Sequence, residues 1–106
     1  MREADIAQAA EEISVYYNYF FAWFKNEKPI HQGLIERLSA EELAANPNLT
    51  PEKMRINMPV GSAADVIARL KVYEAQGYDE YSFWIDTGMS FARKKASLER
   101  FIADVM

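Results

Sequence analysis

Apolar residues recur at helical spacing near the start of the chain, where Ile6, Ala10, Ile13, Tyr17, Phe20 and Phe24 advance by threes and fours. That rhythm predicts a helix over 3–25 with those residues on one face. Its acidic side chains, Glu3, Asp5, Glu11 and Glu12, lie toward the start and Lys25 and Lys28 follow its end, as the helix dipole favours. A second helical pattern runs from Ser62 to Gln76, with Val66, Ile67, Leu70 and Tyr73 on one face and Gly77 as a left-handed stop. The period then changes to two in "DEYSFWID", with Tyr81, Phe83 and Ile85 pointing one way and Ser82 and Trp84 the other. This predicts one strand, bulky on both faces. A last helix is predicted from near Ser90 to the C-terminus, carrying Phe91, Leu98, Phe101, Ile102 and Val105.

Residues 26–59 lack such a rhythm and read as irregular with short helical turns. Ser39 and Glu42 have the spacing of a capping box, and Thr50-Pro51 reads as an N-cap followed by proline at the first helical position. The chain is then a single partial domain with an aromatic helix (3–25), an irregular middle (26–59) and a helix-strand-helix end (60–106). A strand's buried backbone groups need neighbours. One strand alone is incomplete.

The first helix ends unusually, because "YYNYFFAWF" holds seven aromatic residues in nine, half of all those in the chain. Rings on every side predict burial on every side, and the rest of a 106-residue chain is too small to provide it. Tyr16, Tyr17, Phe20, Phe21, Trp23 and Phe24 are therefore interface candidates, exposed apolar surface of this kind marking protein contacts. A homo-oligomer would supply the cover.

A net charge of −4 and no cysteine argue against nucleic acid, anionic membranes, disulfides and thiolate metal sites. No apolar run is long enough to span a membrane. The acidic, polar start lacks the form of a signal peptide, so a cytoplasmic location is expected and the Asn48 sequon carries no weight. His31 is the single histidine and cannot build a multi-ligand zinc site, so no metal is expected. Arg93, Lys94 and Lys95 fall in the first turns of the last helix, against the dipole. An anion site there is conceivable, but a solvated basic run is the commoner arrangement.

The order of motifs in "VGSAADVIARLKVYEAQGYDEYSFWIDTGMSFARKKASLERFIADVM" resembles the C-terminal part of bacterial luciferase-like flavin-dependent monooxygenases. The matching positions are Val60, Gly61, Ser62, Val66, Ala68, Arg69 and Leu70; Tyr73, Glu74, Gly77 and Asp79; and Ser97, Leu98, Glu99, Phe101 and Val105. The resemblance implies a fold that is α/β by descent, a C-terminal fragment of a TIM (β/α)8 barrel that is mostly helical with about one strand. A whole barrel takes about 250 residues. It further implies a parent activity that uses reduced FMN and O2, with the flavin held by strands outside this chain. No flavin ligand or catalytic residue is therefore assigned, and the isolated chain is expected to bind no cofactor and to lack catalysis. Its partner would be the missing barrel portion or further copies of itself. Asp86, Thr87 and Met89 follow the strand on the face where barrel enzymes build their sites, and are candidates for a substrate pocket. They also suit a plain turn leading to the Ser90 cap. The alternative to an enzyme fragment is a helical self-association module.

Overall fold

The structure is a computed structural model that describes residues 2–25, 28–85 and 87–106. Its elements are α1 (Glu3–Phe24), β1 (Ile30–His31), β2 (Leu34–Ile35), α2 (Ala40–Ala44), α3 (Pro51–Asn57), α4 (Ala63–Ala75) and α5 (Phe91–Asp104). The described residues are mostly helical and form one two-stranded antiparallel sheet in which Ile30 faces Ile35 and His31 faces Leu34.

That hairpin falls within the stretch expected to hold only irregular chain and helical turns, and corrects the expectation. Gln32 (φ 53°) and Gly33 (φ 81°) form its turn, both with the positive φ that a two-residue hairpin of type I′ demands. The predicted strand over 79–86 is the second correction: 79–85 is in no ladder, and Asp86 lies outside the described residues. Side-chain alternation alone does not make a strand when no neighbour supplies the ladder's donors and acceptors. The alternation itself persists. Tyr81 packs on Tyr73 of α4 (ring centroids 5.3 Å) and Phe83 on Phe101 of α5 (4.7 Å), while Trp84 turns toward Tyr16 of α1 (6.4 Å).

Helix ends follow their local chemistry closely. Ser39 and Glu42 close a capping box on α2, and Thr50 Oγ1 accepts from Lys53 N ahead of Pro51 in α3. On α4 the Ser62 amide donates to Asp65 Oδ2 at 2.9 Å while Ser62 Oγ accepts from Asp65 N at 3.2 Å. Gly61 (φ 149°) makes room for this, since a Cβ there would sit 2.7 Å from Asp65 Oδ2. At the other end, Tyr78 N donates to Tyr73 O (3.2 Å) and Gly77 N to Glu74 O (3.0 Å), with Gly77 at φ 94°. These are the two bonds of a Schellman motif, and the Tyr73–Tyr78 ring contact adds its usual apolar clasp.

The buried stripe of α1 differs from the one read from its apolar spacing. It is Ile6, Ala10, Ser14, Asn18 and Ala22, one residue per step of four, and the aromatics flank it. Small side chains let α3 and the loop before it approach α1 closely, so Ala10, Leu49 and Met54 form the core with Ile13, Tyr17 and Met58 around it. The Leu49 carbonyl is satisfied by Ser14 Oγ and, at 3.5 Å, by Asn18 Nδ2, which also donates to Ser14 O at 2.9 Å. Polar residues on a buried helical stripe thus answer a loop carbonyl that would otherwise be stranded.

The core is small for the length. The described residues include no large side chain that is fully buried, and α4 and α5 contain no buried residue. The radius of gyration is 15.4 Å, against about 13 Å for a closed domain of this size.

Candidate functional site

A groove of about 680 Å³ lies along α1. Val15, Tyr16, Tyr19, Phe20 and Trp23 form its floor, with Ile35 of β2 and Thr87 and Gly88 on the walls, and Gln8, Glu11 and Glu12 at its polar end. The helix puts these rings together because positions three, four and seven apart share a face. Tyr16 and Phe20 lie stacked at 6.2 Å, and Phe24 rests on Phe20 at 4.7 Å. Tyr19 is fixed by its hydroxyl, which accepts from Leu38 N at 2.9 Å.

Five of the six aromatic interface candidates separate into two sets, and Phe24 rests on Phe20 beyond both. Tyr16, Phe20 and Trp23 line the groove, whereas Tyr17 packs beside the Ala10–Leu49–Met54 core and Phe21 lies against Tyr17 and Phe20. Trp23 is 55% and Phe24 73% exposed, so burial on every side is not reached in this chain. Of the pocket candidates, Thr87 lines the groove, Met89 is half-buried outside it, and Asp86 lies outside the described residues.

Glu12 is the group that sequence spacing does not single out. Its Oε1 accepts from Arg93 Nη1 of α5 and from Gln8 Nε2 (3.3 Å), while Oε2 is buried without a hydrogen-bond partner among the described residues. The pair explains why Arg93 tolerates the first turn of α5: a carboxylate from another helix offsets the dipole. Arg55 of α3 holds Glu3 in the same manner. Both pairs tie the acidic half of α1 to later elements, and the signal for them in the sequence is only the opposite charge of distant residues. Between α4 and Phe83, burial pushes the Tyr81 phenol above its ordinary range, with the Tyr73 phenol adding to the effect.

The groove suits flat apolar matter with a hydrogen-bond donor at one end. It does not suit the phosphate of FMN, because Glu11 and Glu12 stand beside Gln8 at its polar end and no cation is among the described residues that line it. His31 sits on the exposed hairpin, and the described residues offer no cluster of three metal-ligating side chains. No helix among the described residues is long and apolar enough to cross a membrane.

Over 104 residues, 98% of the chain, the sequence is 67% identical to the oxygenase component of a flavin-dependent trigonelline monooxygenase from Acinetobacter baylyi. The chain is similar to the C-terminal part of a flavin-dependent monooxygenase. It spans 29% of that relative's length. No family model and no solved structure matches the chain. The similarity runs well beyond the motif-bearing end at 60–106 and takes in the aromatic helix and the middle of the chain.

Proposed function

We propose that this chain is the closing portion of a flavin-dependent monooxygenase of the luciferase-like kind, built on a TIM (β/α)8 barrel and working in the cytoplasm. The 67% identity across nearly the whole chain carries this reading. In the assembled enzyme, reduced FMN and O2 would deliver one oxygen atom to an organic substrate, and the relative's name points to trigonelline or a compound like it. Residues 79–85, with α4 before and α5 after, would be a barrel strand. Their alternation toward and away from those helices is what a strand covered on both faces requires. Alone, the chain would not catalyse, since it holds too little of a barrel and its groove rejects the FMN phosphate.

A chimera tests this directly. In it the relative's matching stretch is replaced by these 106 residues, and flavin-dependent oxygenation of trigonelline is measured for the chimera and for the chain alone. Turnover by the chimera only is the expected result. A folded but inactive chimera, or turnover by the chain alone, would overturn it.

A second reading, a self-association module without catalysis, is favoured by one observation: the exposed rings of α1. It requires light scattering to find the chain alone as a dimer or larger assembly.

A further inference from the structure

We propose that the face carrying Tyr16, Phe20 and Trp23, together with the edge of the extended segment 79–85, is an interface for one occupant: the rest of an oxygenase chain. The occupant brings an apolar, strand-bearing surface. This inference rests on the reading above and adds which surface is covered and by what.

Area argues first. The chain exposes 7872 Å², whereas a closed monomer of 12.2 kDa exposes about 6,100 Å². The excess, about 1,800 Å², is roughly twice what one partner gives up in an interface of standard size, about 800 Å². A contact as extensive as a domain interior matches it better than a modest dimer.

Connectivity argues second. Segment 79–85 follows α4 and precedes α5 along the chain, the order of a parallel crossover unit, and such a unit pairs with parallel strands. A second copy related by a twofold axis across the sheet edge would present its strand antiparallel. The contact between Trp84 and Tyr16 joins the segment to the ring face, so one occupant reaches both.

Chain length argues third. The relative has about seven-tenths of its length outside the matching stretch. Chain joined covalently to this face acts at an effective concentration in the millimolar range, while a second copy must pay the full entropy of association.

Hydroxyl-radical footprinting of the chain alone and of the chimera tests the assignment, with Tyr78, 63% exposed and off this face, as the internal control. Oxidation of Phe20 and Trp23 should fall several-fold in the chimera relative to Tyr78. An active chimera with unchanged Trp23 reactivity sinks the inference and leaves the functional reading standing. Protected rings in an inactive chimera uphold the interface and sink the functional reading. Protection in the chain alone, with a doubled mass by light scattering, assigns the face to a second copy and overturns the proposal. Trp23→Asp guards against folding artefacts: it should leave the helicity of the chain alone unchanged and sharply lower the yield of soluble chimera. Equal yields with and without the substitution would count against the interface.

Discussion

Both halves of this molecule contain helices capped by their own side chains, and their interiors are very different. In the first half, α1 and α3 enclose Ala10, Leu49 and Met54, and a loop carbonyl is answered by Ser14 and Asn18. In the second, α4 and α5 are capped by Ser62, Gly77 and Ser90, but neither buries a residue. Capping is local and needs only nearby residues. A core requires opposing surface, and for the second half that surface is not in this chain. The contrast separates what a fragment carries with it from what it must find elsewhere.

The sharpest way to break the comparison is to delete core volume on each side. Met54 is 2% exposed, and Met54→Ala should cost about 2–5 kcal/mol, much of the stability of so small a domain. Leu98 on α5 is 46% exposed, and Leu98→Ala should cost well under 1 kcal/mol in the isolated chain. Urea titration followed by circular dichroism measures both. Equal losses would mean that the second half has a core of its own. In the chimera, where α5 is expected to be covered, the Leu98 substitution should become expensive.

Gly77 probes the other side of the comparison, the local chemistry. At φ 94° an L-residue is strained by roughly 1–2 kcal/mol, so Gly77→Ala should loosen the end of α4 by about that much. Because nothing lies within 4 Å of a Cβ placed there, the cost comes from backbone conformation and not from a clash. Amide exchange at Tyr78, whose N–H closes the motif, should accelerate. An unchanged rate at Tyr78 would show that the turn is held by the Tyr73–Tyr78–Tyr81 rings instead.

Legibility in the sequence follows the same division. Caps at Ser39, Thr50 and Ser62 and the stop at Gly77 could be read because each needs residues within a few positions. The hairpin at 30–35 was harder, since Gln32-Gly33 is a weaker turn signal than Asn-Gly, and its strands are only two residues long. The buried stripe of α1 keeps Ile6 and Ala10 of the apolar face and departs from it afterwards for a physical reason: large rings dominate any apolar count, but close approach by another segment selects small side chains such as Ser14 and Ala22. Segment 79–85 has the alternation of a strand and lacks the neighbour. At the groove, the density of rings in α1 is plain in the sequence, while Glu12 and Arg93, 81 residues apart, acquire meaning only when the fold joins them.

The smallest effect expected is acid sensitivity, and its sign distinguishes caps from cores. Hydrogen bonds from the Ser62 hydroxyl and amide lower the Asp65 carboxyl below its ordinary value near 3.8. Arg2 does the same for Asp5, and Lys28 for Glu42 against an ordinary value near 4.5. A folded-state value below the unfolded one means that the unfolded chain binds the proton more readily, so each contribution is complete above about pH 4.5 and is lost as pH falls through the lowered value. All three carboxylates are solvent-exposed, so salt should blunt the effect. Helicity measured from pH 6 to pH 2 should therefore decline modestly below pH 4, and less so in Asp65→Asn. Ser14, Asn18 and Leu49 hold no ionisable group, so amide exchange in the middle of α1 should stay slow over the range in which the start of α4 loosens. Simultaneous loss in both places would mean that the two halves fold as one unit, and the contrast drawn between them would fail.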